Sequence, residues 1–108
     1  MVKLMFMIHR KPGLSRDECL AMWTGEQHLA LLEPMKRLGF KKYVQNRVTS
    51  LEPAAAPDGI GELWFEDAEA MERVMSSPDM AAAFEDAKRF LDLEKSHALG
   101  VDESPIFG

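Results

Sequence analysis

Cysteine is almost absent: Cys19 is the one cysteine among 108 residues, so an internal disulfide and a cysteine-rich metal site are both excluded. No apolar run approaches the roughly 20 residues that a bilayer-spanning helix needs. The first apolar stretch, Leu4–Ile8, lies between Lys3 and His9-Arg10-Lys11 and is too short for a secretory signal. A soluble, cytoplasmic protein is expected, with no membrane partner. Positive charge is short as well. Eighteen Asp and Glu outweigh 13 Lys and Arg for a net charge of −5, and a chain of that sign repels a phosphate backbone, so no nucleic-acid partner is expected. Gly-x-Gly-x-x-Gly, Gly-Lys-Ser/Thr and Gly-x-Ser-x-Gly do not occur, which removes the dinucleotide cradle, the P-loop and the nucleophile elbow. His9, His28 and His97 are the three histidines. They show neither i, i+4 nor His-x-His spacing, so no metal ligation is expected.

What is present is an ordinary globular balance of 46% hydrophobic and 29% charged residues, read as one domain over residues 1–108. Two segments read as strands. In the first, Leu4, Phe6 and Ile8 point one way while Met5, Met7 and His9 point the other, because side chains alternate along a strand. In Gly61–Phe65, Leu63 and Phe65 oppose Glu62 and Trp64. Both faces carry large apolar groups. Helices can cover one face only, so the Met/His/Glu/Trp face is expected to be covered by a second copy of the chain that encloses a ligand cavity.

Between these strands the helix signals are local. Ser15-Arg16-Asp17-Glu18 has the Ser-x-x-Glu spacing of a capping box, so a helix begins at Arg16. A second helical stretch runs from Glu26 to Leu38, with a kink or restart at Pro34 and a cap at Gly39. Its stripe is His28, Leu31, Leu32 and Met35, at i, i+3, i+4, i+7. Phe40–Val48 reads as a strand with Phe40, Lys42, Val44 and Asn46 on one face. Thr49–Gly59 is a loop ahead of the strand Ile60–Phe65. Asp67–Met75 is a helix, and after a cap at Ser77 with Pro78 following, Asp79–Leu93 is another, with Met80, Phe84, Ala87 and Leu91 as its stripe. A short strand is expected near Ala98–Val101. This order, strand, helix, strand, strand, helix, strand, predicts an α+β, ferredoxin-like βαββαβ fold with a four-stranded antiparallel sheet.

Five segments in order resemble one family: Lys3-Leu4-Met5-Phe6, Lys11-Pro12-Gly13-Leu14-Ser15-Arg16, Trp23 with His28, Tyr43-Val44-Gln45-Asn46, and Gly61-Glu62-Leu63-Trp64-Phe65. Together they look like the EthD family of dimeric α/β-barrel proteins. The resemblance implies a homodimer and a small pocket for compact aromatic or lactone-like molecules, worked without metal or organic cofactor. It leaves the activity open among a methylmuconolactone isomerase, pigment-pathway proteins and polyketide-pathway decarboxylases or dehydratases. Family members usually carry His-Gly-Pro where this chain has His28-Leu29-Ala30.

His28 is the expected proton carrier, because imidazole both takes and gives a proton near neutral pH; the competing reading is a histidine bonded to the bend at Thr24-Gly25. Tyr43 is expected to donate to a substrate carbonyl or enolate, or else to sit in the dimer interface. Glu62 is either a pocket carboxylate or half of an ion pair with Arg47 or Lys41. Met5, Met7, Trp23 and Trp64 would wall the pocket, and His9 would stand at a basic rim that attracts an anionic substrate. The expected function is a cofactor-independent lyase or isomerase. A non-catalytic small-molecule-binding protein and a cofactorless monooxygenase are the alternatives.

Overall fold

Each helix begins where local chemistry supplies a partner for its orphan amides, as seen in a computed structural model that describes residues 2–50 and 56–108. In α1 (Arg16–Trp23) the Ser15 hydroxyl accepts from the Glu18 amide while Glu18 accepts from the Ser15 amide, a reciprocal capping box. The second helix, α2, covers Glu26–Leu32. Pro34 cannot donate an α-helical hydrogen bond, and the chain tightens into a 3₁₀ helix over Glu33–Leu38. Gly39 ends it at φ +125°, a conformation that side chains resist. Asp67 caps α3 (Ala68–Met75) through the Ala70 amide, and Ser77 caps α4 (Pro78–Ala87) through the Met80 amide.

The strands are β1 (Val2–Ile8), β2 (Phe40–Arg47), β3 (Gly59–Phe65) and β4 (His97–Asp102). They form one antiparallel sheet in the order β2-β3-β1-β4, which is the ferredoxin-like arrangement, and the helices cover one side of it. Of the loop read over Thr49–Gly59, residues 51–55 lie outside the described ones. Register sorts the side chains of the central strands. Leu4 pairs with Leu63, Phe6 with Gly61 and Ile8 with Gly59 on the helix-covered face, while Lys3 pairs with Trp64 and Met5 with Glu62 on the open one. Leu4, Leu63 and Phe65 pack on Met35, Val74 and Met80; Ile8 packs on Leu20, Trp23, Ala87 and Phe90 with Cys19.

Two expectations are corrected. A register irregularity between Phe40 and Lys42 pairs Phe40 with Phe65 and Tyr43 with Leu63, so Phe40 and Tyr43 share the helix face and Lys42 faces away with Trp64. An extra residue inverts the alternation that follows it. The last helix stops at Ala87 rather than Leu93. There the chain peels off to join β1's continuation: the Lys11 backbone amide donates to the Phe90 carbonyl at 2.9 Å and the Asp92 backbone amide to the His9 carbonyl at 2.9 Å. Phe90 is consequently in the core, and Phe84 is 37% exposed.

Gly59 and Gly61 leave the room into which the Trp23 indole packs. A Cβ at Gly59 would lie 2.7 Å from Trp23 Cζ3 and 3.1 Å from the Asn46 carbonyl, and one at Gly61 would lie 3.3 Å from Trp23 Cζ2. Gly59→Ala is expected to lower stability by about 1–3 kcal/mol through overpacking. Urea unfolding followed by Trp fluorescence measures it, and an unchanged midpoint would show that Trp23 is not held there.

Candidate functional site

The small Ala83 and Ala87 of α4 leave space between sheet and helices. A cavity of about 290 Å³ fills it, lined among others by Phe6, Trp23, Met35, Tyr43, Ala83 and His28. It is almost wholly apolar. It lies within one chain, on the helix-covered face, and not on the sheet face where a second copy is expected to enclose a chamber.

The face on which each residue sits decides its company. Trp23, His28 and Tyr43 come together at the cavity, and Met7 lines it too. Met5, Glu62 and Trp64 belong to the opposite face, set apart from His28 by the sheet itself. Glu62 bonds Lys3 at 2.8 Å and Asn46 at 2.8 Å, not Arg47 or Lys41. Its carboxyl is held below the usual carboxylate range by the Lys3 ammonium. Trp64 is flanked by the Lys3 and Lys42 ammonium groups, 5.0 and 4.9 Å from its ring. His9 lies outside the cavity in a separate surface groove.

His28 occupies the buried side of α2 and is 6% exposed. Its Nδ1 is 3.0 Å from Asp86 Oδ2 on α4, and its ring meets Phe90 edge-on. Asp86 was not singled out above. It also accepts two hydrogen bonds from Arg89, at 2.7 and 3.0 Å, and one from Gln27. Arg89 foremost, with His28 assisting, keeps the Asp86 carboxyl below its ordinary range, so it is ionised near neutrality and can only accept. Nδ1 must therefore carry the proton of that bond, which leaves Nε2 as the basic nitrogen of a neutral ring. Burial pushes the His28 pKa down, and the Asp86 hydrogen bond opposes it. Burial also raises the Tyr43 pKa, so the phenol keeps its proton, while the hydroxyl accepts from Gln45 Nε2 at 2.9 Å. Gln45 is tied in turn to the Trp23 carbonyl at 3.0 Å. The arrangement offers one neutral base and one neutral acid on an apolar wall. Among the described residues no three His, Cys, Asp or Glu side chains gather as a metal site, and no helix is long and apolar enough to cross a membrane. Cys19 is buried, with its thiol pushed up to about 11 by burial, and takes no part.

Fold and cavity define a ferredoxin-like α+β protein with a helix-side pocket. The EthD domain matches residues 11–94, and the chain belongs to that family. Among solved structures, an EthD family protein of Bacillus halodurans is 18% identical with a TM-score of 0.73, covering 96% of this chain and 99% of its own. A protein of Arabidopsis thaliana is 18% identical with a TM-score of 0.75, covering 99% of each. A protein of Jannaschia described as dimeric and ferredoxin-like is 13% identical with a TM-score of 0.68, covering 94% and 98%. No curated protein sequence matches significantly.

Because burial and the carboxylate pull the His28 proton in opposite directions, their balance can be read out. NMR titration of the wild type is expected to place the His28 midpoint below about 6.5. In Asp86→Asn the midpoint moves further down, since the opposing bond is gone and Arg89 remains. A midpoint that rises in this variant would overturn the assignment. Folding inherits the sign: the unfolded chain takes up the His28 proton first, so stability falls as pH drops through that window.

Proposed function

We propose that this chain is a cofactor-independent acid–base enzyme acting on a compact organic molecule held in the helix-side cavity. The observation that carries the reading is the His28–Asp86 pair in the wall of an otherwise apolar pocket that also holds Tyr43. A buried imidazole with one nitrogen pinned by a carboxylate is oriented to use the other. Nε2 of His28 would take a proton from a carbon beside a carbonyl, Tyr43 would donate a hydrogen bond to the oxygen where negative charge gathers, and the same imidazolium would return the proton elsewhere on the molecule. Such a sequence serves a lactone isomerisation, or a dehydration in which the returned proton goes to the departing hydroxyl. In a decarboxylation, loss of CO₂ would itself leave the enolate, held by the Tyr43 hydrogen bond until it is protonated. Lyase or isomerase is therefore the preferred class. Apolar walls keep water from competing for the enolate. The family supports a small-molecule pocket, and the absence of a resident cofactor is part of the proposal.

The open sheet face supports a second element, a homodimer. Met5, Val44 and Trp64 are only partly covered there and Leu99 is 51% exposed, and a neighbour of the same fold is described as dimeric. In this reading the partner covers the open face, while each chain keeps its own cavity. A Met5→Glu, Leu99→Glu variant is expected to sediment as a monomer where the wild type sediments as a dimer; equal masses for both would remove this element.

The chemical claim is tested by carbon-bound hydrogen exchange in D₂O. A panel of small aryl ketones, β-keto acids and lactones is incubated with the protein and followed by proton NMR. At least one is expected to exchange faster with wild type, and His28→Ala is expected to slow that exchange by about 10²-fold or more. Exchange that survives His28→Ala unaltered would remove His28 from the mechanism, and exchange that wild type does not accelerate for any compound would leave the binding-protein reading in its place.

A further inference from the structure

Beside the cavity lies a surface groove of different character, lined by His9, Arg10, Lys11, Asp58, Glu94, Lys95 and His97 with a few uncharged neighbours. His97 lines both the groove and the cavity, so the two depressions adjoin at that residue. Their adjacency is built into the backbone. The segment after α4 is zipped to the end of β1 by Lys11 to Phe90 and Asp92 to His9, and the His9 amide donates to Ser96 Oγ at 3.0 Å. Ser96 itself lines the cavity. This zipper holds Lys11 and Lys95 in the groove, Lys95 directly preceding the cavity-lining Ser96 and His97.

The charges there are not balanced within the groove. Arg10 is paired with Asp58 at 3.1 Å, and Asp58 also accepts from the Arg10 amide. Lys11 and Lys95 form no ion pair among the described residues, whereas Lys3, Lys36, Lys41 and Lys88 each do. Glu94 is the one remaining carboxylate of the groove. On a chain whose net charge is −5, a local surplus of cations joined to an apolar hole is a selective feature: an acidic surface repels anions everywhere except where cations collect.

We propose that the ligand of this site is an amphiphilic organic anion, an apolar ring system that enters the cavity and a carboxylate that stays in the groove against Lys11 and Lys95. The inference rests on the cavity reading above and adds the anionic handle. An apolar pocket with so few polar groups cannot fix the direction in which a ring enters. A charge held outside by the two lysines would do so, presenting one end of the molecule to His28 and Tyr43. Exposed lysines contribute modestly one by one and are screened by salt, so orientation and discrimination are the expected gains rather than great affinity.

Calorimetric titration with 2-naphthoate and its neutral congener 2-naphthamide separates the two parts. Naphthoate is expected to bind about five- to tenfold tighter at low salt. That preference should vanish in Lys11→Gln, Lys95→Gln and in about 0.5 M salt, while naphthamide affinity stays the same. Both lysines are exposed, so the variant is expected to fold. Equal affinities in wild type, or a preference that outlasts the loss of both lysines, would overturn the anionic handle and leave the cavity reading standing. If neither compound binds, the cavity reading fails and this inference with it.

Discussion

A strand offers only one of its two sets of side chains to the helices, and β1 and β3 sit side by side at the centre of this sheet. Their register therefore divides the molecule. Leu4, Phe6, Ile8, Leu63 and Phe65 share the helix side with the two glycines; Lys3, Met5, Glu62 and Trp64 share the other. A one-residue slip in either strand would exchange the sets, placing an ion pair in the core and the core in water. Every chemical statement about this protein depends on that division. It determines that His28 has Tyr43 for company and that Glu62 has Lys3.

The polar group that the helix side does admit is compensated on every side. A buried imidazole or carboxylate alone is costly, and one removed from its partner more so. Here Asp86 accepts hydrogen bonds from Arg89, His28 and Gln27 together, while Arg89 reaches solvent at the rim with its side chain 36% exposed. The charge is thus partly drained to the surface, and the histidine is left neutral. The same contacts join α2 to α4 through two residues 58 apart in the sequence. The cavity lies beneath that junction, so the element that would do chemistry is also a latch holding the roof of the pocket.

Local signals were readable and distant ones were not. Ser15 and Glu18, Asp67, Ser77 with Pro78, Pro34 and Gly39 each act within a few residues, and the elements they bound follow them closely. The β2 irregularity depends on pairing with β3, which no alternation within β2 reveals, and so alternation alone puts Phe40 on the wrong face. The end of α4 is set by backbone bonds to residues 9–11, invisible from the apolar spacing of 80, 84, 87 and 91. Asp86 stood among several acidic residues of an amphipathic helix; what distinguishes it is a partner 58 residues away. One signal was available. Gly59 and Gly61 recur at spacing two on the buried side of a strand, and glycine there marks a close approach or a space for another group. Here they mark a close approach, the one that the Trp23 indole makes to β3.

The two faces are separate, yet they meet at one element. β4 is an edge strand bonded to β1 alone. Its first residues, His97 and Ala98, line the cavity, Leu99 faces away from the helices opposite Met5, and just beyond its end Glu103 reaches Lys3 and sits by Trp64. Edge strands with one neighbour open at lower free energy than central ones. A partner seated on the open face would grip β4 through Leu99 and Glu103, and in doing so would steady the strand that shapes the cavity's edge. Assembly and binding would then be coupled without any residue crossing from one chain into the other's pocket, because a ligand that orders His97 and Ala98 and a partner that orders Leu99 act on the same few residues of backbone.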